Sequence, residues 1–288
     1  MPYLFLLCYV LIGDAINISK KQYTARAKNP NIFFFVTAMV ALSSTTLFAL
    51  NGFKVEIVPS LLPWAIAYAI TYTLAATGTT MAISCGPLSL SMFFISFYLV
   101  IPTFCGAIFL GEKIGLLCYV GLALFFISLV MINIKPRDGK AEYIKITLKW
   151  AIIMLIAFVS GGAYLAIQNV CSAHFDGKYK TELMLYALAM TLVLSFVGGI
   201  VYKRNLKQAI SDPAMKFAPL CGILSGFQLF LITLIIGKIP SAVLYPTSAA
   251  LGAITMYFVS LFAYKEKFSP LQTVGYFIGV VAVVLLNI

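Results

Sequence analysis

The sequence predicts an all-α integral membrane protein of ten transmembrane helices, arranged as two inverted repeats of five. Three observations lead to this prediction: 62% of the 288 residues are hydrophobic, the apolar runs have membrane-spanning length, and the two halves of the chain resemble each other. Charged residues make up only 10% of the chain, whereas a soluble domain carries about 25%. So small a polar fraction excludes a soluble globular protein.

The apolar runs set the expected number of helices. Each is roughly 18–24 residues long, enough to cross a hydrocarbon core of ~30 Å at about 1.5 Å per residue. Short polar segments separate the runs, and the first run lacks a basic leader, so we expect a retained helix there and not a signal peptide. The ten predicted runs are 3–20, 31–50, 62–83, 88–110, 115–134, 147–171, 182–202, 215–236, 242–264 and 270–288.

The basic residues are concentrated between the runs, and their distribution predicts an orientation. The segments that follow odd-numbered runs carry 15 Lys and Arg, and the opposite side, with both termini, carries 5. The positive-inside rule then puts the basic side in the cytoplasm of a multi-pass cell-membrane protein, with both termini outside. The net charge of +11 does not indicate a nucleic-acid partner, because no basic face of a soluble module carries it.

An internal repeat divides the chain. At a shift of 154 residues, GEKIGLLCYVGLALFFISLVMINI (111–134) lies over KEKFSPLQTVGYFIGVVAVVLLNI (265–288), and Glu112 matches Glu266. We therefore predict a first five-helix repeat at 1–134, a basic linker at 135–146 and a second repeat at 147–288. Since five is odd, the second repeat enters the membrane inverted. Inverted repeats of this kind build alternating-access carriers with a substrate site near the midplane.

These features resemble the EamA-like family of the drug/metabolite transporter (DMT) superfamily. The matching residues are Pro102 ten positions before Glu112, then Glu266, and Gly121 and Gly275 early in the closing helices. The resemblance implies a carrier for small organic metabolites, with a central cavity lined by helices of both halves. In such relatives a small polar residue usually follows the aromatic-Gly pair of the first helix, and bacterial relatives commonly have cytoplasmic termini.

Asp14, which replaces that small polar residue, is the leading candidate for a functional group. It is the one acidic residue deep inside an apolar run, where a charge costs about 2.5–3.5 kcal/mol, so such residues tend to face a cavity or a partner. We expect it to bind a cationic substrate or to exchange a proton for one. The alternative is a structural carboxylate satisfied by donors of a neighbouring helix.

Polar and aromatic residues of other runs are the expected cavity wall around Asp14. Aromatic rings near a carboxylate suit an organic cation, although each ring alone is more often a packing or lipid-facing residue. Glu112 and Glu266 we expect to tie adjacent helix ends together. The predicted substrate-binding residues besides Asp14 are Asn17, Tyr68, Tyr72, Ser91, Phe94, Tyr98, Tyr164, Gln168, Gln228, Tyr245 and Tyr257.

The expected function is secondary-active transport of a small polar or cationic organic metabolite by alternating access, with possible proton coupling. Alternatives are a carrier for neutral amino acids or nucleoside-like metabolites and a non-transporting membrane receptor or scaffold. An enzyme is not expected, because acid-base or metal chemistry needs clustered carboxylates or histidines. We expect no cofactor, no metal and no nucleic acid; the partners are a small-molecule substrate, H+, the lipid bilayer and, in a homodimer, a second copy.

Overall fold

The protein is described by a computed structural model that covers residues 2–28, 30–85, 98–112, 115–133, 147–203, 205–262 and 270–286. These residues form eleven α-helices, two short 3-10 helices and an isolated β-bridge between Ile236 and Ile239. The predicted all-α class is confirmed. The predicted linker 135–146 lies outside the described residues.

The helices follow the apolar runs closely. Each of the ten predicted runs overlaps one helix, and the short α8 is additional. In chain order the helices are α1 (Pro2–Arg26), α2 (Ile32–Leu50), α3 (Leu62–Cys85), α4 (Val100–Leu110), α5 (Leu116–Asn133), α6 (Leu148–His174), α7 (Lys180–Val201), α8 (Leu206–Ser211), α9 (Phe217–Ile235), α10 (Ser241–Phe262) and α11 (Pro270–Leu286).

Several of these helices are suited to a bilayer. Within the described ranges, six stretches are long and apolar enough to cross a membrane, and they contain α1, α2, most of α3, α6, α7 and α9. The apolar stretches of α4, α5 and α11 are shorter over the described residues. The protein is therefore a helical protein with membrane-spanning segments, and the full count of ten crossings stays a prediction.

Helix packing is arranged around two long pairs at the centre. α3 packs along α6, and α9 packs along α1. α2 and α7 contact each other; α2 also packs on α9, and α7 on α3. α4 lies against α6 and α10, α10 lies against α1, and α5 runs beside α11.

Small residues allow the close approaches between these helices. Gly222 and Gly226 of α9 form a Gly-x-x-x-Gly stripe against α2, where a Cβ on Gly222 would lie 2.4 Å from Leu42 Cβ. The Ser43 hydroxyl donates to the Gly222 carbonyl oxygen at 3.0 Å. The Ser128 hydroxyl makes the same kind of bond from α5 to the carbonyl oxygen of Gly275 on α11, at 2.7 Å. Short-range packing and hydrogen bonds between helices are what hold membrane bundles together, because lipid is as apolar as the helix surfaces.

The boundary of α1 differs from the predicted one. The first run was expected to end at residue 20, but α1 continues to Arg26. The polar stretch KKQYTAR is thus helical, since Lys, Gln and Arg are good helix formers and hydropathy marks only the apolar part of a helix. Lys20, counted with the connecting segment in the charge distribution, lies on α1 itself.

Candidate functional site

A cavity of about 180 Å3 lies between α1, α3, α6 and α9. Its wall also includes Met39 of α2 and Tyr98, which precedes α4. The cavity thus draws on the two long helix pairs, and we name its sides the α3–α6 wall and the α1–α9 wall. Six of the twelve predicted site residues line it: Asn17, Tyr72, Tyr98, Tyr164, Gln168 and Gln228.

The α3–α6 wall is a cluster of tyrosine rings. The rings of Tyr72 and Tyr164 meet edge-on with centroids 5.1 Å apart, and Tyr98 lies 6.5 Å from Tyr164. Tyr68 is fully buried behind them, stacked on Tyr72 at 5.6 Å. Offset and edge-on geometries are those that aromatic pairs prefer. Tyr68 therefore supports the wall from behind and is not itself a lining residue.

The α1–α9 wall carries hydrogen-bonding groups. Asn17 lines the cavity from α1, and the Gln228 amide of α9 donates to the Tyr9 carbonyl oxygen at 3.1 Å. Gly13 makes this contact possible, because a Cβ there would lie 2.6 Å from Gln228 Nε2. Tyr9 also lines the cavity, and nothing in the sequence pattern distinguishes it from other aromatic residues near the start of α1.

Gln168 is the most unusual polar group of the cavity. Its side chain projects from α6, is 3% exposed, and lines the cavity one turn beyond Tyr164. Neither its amide nitrogen nor its amide oxygen has a hydrogen-bond partner among the described residues. A buried amide without partners is unfavourable by about 1–3 kcal/mol for each group. The Gln168 amide is thus a buried donor and acceptor within the cavity wall that no described protein group satisfies.

Lys20 is the functional candidate that sequence reasoning missed. It is half-buried and lines the cavity from α1, three residues beyond Asn17. Positions three and four apart share a face of a helix, so Gly13, Asn17 and Lys20 form one stripe. The signal was present in that spacing, but it becomes visible only once α1 is known to continue past residue 20.

Asp14 does not occupy the position predicted for it. It is 8% exposed and is absent from the described residues that line the cavity. It lies against α10 instead, where the Thr255 hydroxyl donates to its carboxylate and Gly252 faces it. The Asp14 carboxylate therefore does not face the cavity as predicted, because α10 covers this side of α1. Asp14 has the partner that the structural alternative required.

The remaining predicted residues lie away from the wall or outside the described part. Tyr245 of α10 is buried in an apolar cluster, and its hydroxyl has no partner among the described residues. Tyr257 falls on α10 in a stretch whose side chains are not described, and Ser91 and Phe94 lie outside the described residues.

An apolar cluster lies between this cavity and a second one, and a small third cavity lined by Gln168, Lys180 and Ile236 shares residues with both. Leu165 and Ile232 of the cluster line the central cavity, while Ile236 and Ile239 line a second cavity of about 650 Å3. The Glu112 carboxylate, at the end of α4, accepts hydrogen bonds from the first residues of α10. The distances are 3.0 Å from both the backbone N and the Oγ of Ser241 and 3.2 Å from the backbone N of Ala242.

These bonds confirm the expectation that Glu112 ties helix ends together. The carboxylate satisfies N–H groups that a helix N-terminus leaves unpaired, and its charge complements the helix dipole. The Asn169 amide of α6 also donates to the Ser241 hydroxyl. Glu266, the repeat partner of Glu112, lies outside the described residues.

Comparison with known proteins identifies the fold alone. No sequence-family profile and no curated protein sequence matches this chain. In three dimensions, 28 solved chains are similar to it. One of them, described only as a crystal structure of a protein, superimposes with a TM-score of 0.79 at 12% sequence identity and covers 100% of this chain and 98% of the other. The chain therefore has a fold already seen in full length in solved structures.

Proposed function

We propose that the protein is a secondary-active carrier that moves a small polar organic metabolite across the cell membrane by alternating access. The observation that carries this proposal is the central cavity, whose walls come from both predicted repeats and which lies next to an apolar cluster that also borders a second cavity. A carrier needs a central binding site that communicates with one side at a time. The resemblance to EamA-like transporters points the same way.

The helix contacts support the predicted inverted repeat. The predicted repeat pairs each helix of the first half with one of the second: α1 with α6, α2 with α7, α3 with α9, α4 with α10 and α5 with α11. If the repeat holds, exchanging the members of every pair should turn each helix contact into another observed contact. The pair α1–α9 becomes α3–α6, α2–α9 becomes α3–α7, and α1–α10 becomes α4–α6, all of which are in contact. The pairs α2–α7, α4–α10 and α5–α11 map onto themselves. The correspondence is not complete: the contacts of α10 with α5 and α11, of α1 with α3 and of α6 with α7 have no equally extensive counterpart among the described residues.

The size of the cavity narrows the range of substrates that fit. A volume of about 180 Å3 lies below the roughly 300–1,000 Å3 of cavities that bind drug-sized ligands. This favours a metabolite the size of a small amino acid or organic acid over a nucleoside-like one. The position of Asp14 outside the wall also removes the main argument for a cationic substrate.

Exchange across a vesicle membrane tests the carrier against the receptor or scaffold. Purified protein in liposomes loaded with unlabelled serine, alanine or lactate should concentrate the same labelled compound transiently inside. Ala76→Trp, which puts an indole into the cavity, should abolish this overshoot. The matched control Thr45→Trp, on the exposed side of α2, should retain it. Binding of these compounds without any exchange would instead favour a receptor.

The orientation with both termini outside is also a proposal, supported by the 15-to-5 distribution of basic residues. Single cysteines placed in the segment 135–145 of a cysteine-free variant should resist impermeant thiol reagents added to intact cells. Cysteines at 52–56 should react. The reverse labelling pattern would invert the protein in the membrane.

A further inference from the structure

The described wall of the central cavity carries a positive charge and no negative charge. Lys20 is the only charged side chain among the described residues that line it. It makes no salt bridge in the described part of the chain. The cavity thus contains an ammonium group with no protein carboxylate assigned to it.

An ammonium group inside a membrane protein needs compensation. Charges there are unfavourable unless they face water or an opposite charge, and a poorly polarisable surrounding strengthens any ion pair that forms. A cation entering this cavity meets repulsion from Lys20 and no opposing carboxylate. An anion meets an attractive partner. Electrostatics therefore selects for a negatively charged group at the Lys20 end of the cavity.

Gln168 supplies a second and independent observation. It lines the same cavity from the opposite wall, and its buried amide has no protein partner for either its donor or its acceptor among the described residues. Buried polar groups in proteins are nearly always paired, so one without a protein partner indicates a ligand or water that completes it. A ligand spanning the cavity would meet the ammonium of Lys20 at one point and a neutral amide at another.

We propose that the substrate is a small organic acid, either a carboxylate or a phosphate monoester, that carries a neutral hydroxyl, amino or carbonyl group. Lys20 binds the acid group, and the Gln168 amide pairs with the neutral polar group. The tyrosines of the α3–α6 wall exclude water from the carbon skeleton between them. This proposal rests on the proposed carrier function and specifies the substrate class of the same site.

A competing role for Lys20 is anchoring. Lysines near helix ends often extend along the helix to reach lipid head groups or water, and Lys20 is six residues from Arg26 at the end of α1. Lys21 provides the matched control, because it is exposed on the same helix and is not among the residues that line the cavity. An anchoring lysine has no effect on which small molecules bind.

Binding to the purified full-length protein tests the assignment. The probes are lactate, propionate and glycerol 3-phosphate, with lactamide and glycerol as neutral counterparts and ethanolamine and choline as cations. At least one acid should bind, and the neutral counterparts and cations should bind more weakly. Lys20→Met should weaken that binding about ten- to hundredfold, the range expected for loss of a hydrogen bond to a charged group. Lys21→Met should stay within about fivefold of the unmodified protein, because Lys21 is not among the described residues that line the cavity. Lys20→Arg should retain more affinity for the acid than Lys20→Met, because it keeps the positive charge.

The acids themselves separate the two sources of negative charge. Binding of lactate but not glycerol 3-phosphate assigns the site to carboxylates, and the opposite assigns it to phosphate monoesters. Gln168→Leu should remove the preference for lactate over propionate, which lacks the hydroxyl group. Failure of every acid to bind, or unchanged acid binding in Lys20→Met, overturns the proposal.

Failure of this proposal is distinguishable from failure of the carrier function. Exchange of serine or alanine in liposomes that is unaffected by Lys20→Met would leave the carrier and overturn the acid site. Binding of an acid that depends on Lys20, with no exchange of that acid in liposomes, would leave the acid site and overturn the carrier.

Discussion

The two walls of the central cavity are built by equivalent helix pairs and present different chemistry. The α3–α6 wall presents tyrosine rings in mutual contact and the buried amide of Gln168. The α1–α9 wall presents Lys20, Asn17 and the Gln228 amide. In both walls a glycine permits the close approach of the helices, Gly78 against Ala157 in one and Gly13 against Gln228 in the other.

The comparison shows that packing and recognition are separable in this fold. Exchanging the halves maps one helix pair onto the other, so the repeat predicts where a wall lies. It does not predict what the wall binds: at the shift of 149 residues that aligns Gly13 with Gly162, Lys20 falls on Asn169. That asparagine donates to Ser241, whereas Lys20 faces the cavity. Two unlike walls suit a substrate with two unlike ends.

Gly78→Leu should have the largest effect, because it separates the helices of the α3–α6 wall. A Cβ at Gly78 would already lie 3.0 Å from Ala157 Cβ and 3.5 Å from its Cα, and neither can rotate away. Overpacking typically destabilises by about 1–3 kcal/mol, and a leucine here should reach the upper end. Thermal unfolding in detergent should show a clear fall in midpoint temperature. Gly115→Leu, with nothing within 4 Å of the new Cβ, is the control, and an equal fall in that variant would contradict the packing argument.

Gly13→Ala should have an intermediate effect and a different character. The atom nearest the new methyl group is Gln228 Nε2, the movable end of a side chain. The amide should rotate away and lose its bond to the Tyr9 carbonyl oxygen, a loss of about 1 kcal/mol. We expect a small change in midpoint temperature but a several-fold change in substrate affinity, and Gln228→Leu should reproduce the affinity change. If Gly13→Ala unfolds the protein as readily as Gly78→Leu does, the α1–α9 wall is as rigid as its counterpart.

Asp14→Asn should have the smallest effect on stability and affinity. The carboxylate lies behind the α1–α9 wall, and an asparagine oxygen can still accept the Thr255 hydroxyl. We expect affinity at neutral pH within about twofold of the unmodified protein. Transport measured across a pH series then decides the role: loss of the pH dependence supports proton coupling through Asp14, and an unchanged profile makes it a structural carboxylate.

Lys20 and Asp14 mark how far the sequence could predict this site. Hydropathy and the repeat located the helices, and six residues of the wall followed from polar and aromatic side chains at helical spacing. Asp14 was misplaced because hydropathy reveals that a polar residue is buried but not which neighbouring helix covers it. Lys20 was missed because a basic residue after an apolar run has the same pattern whether the helix ends or continues. The first error concerns a tertiary contact and the second a helix boundary, and the hydropathy pattern contains neither.

Helix α10 is held at two points by carboxylates from the first half of the chain. Glu112, at the end of α4, accepts hydrogen bonds from the first residues of α10, and Asp14 of α1 accepts one from Thr255. Ser241 and Thr255 are 14 residues apart, so the two hydrogen-bonded contacts lie about 20 Å apart along the helix at 1.5 Å per residue. In the proposed carrier, one half of the chain can rotate against the other about one of these contacts while the other contact breaks. The barrier between the two states of this proposed carrier would then include the loss of one of these contacts and not of both.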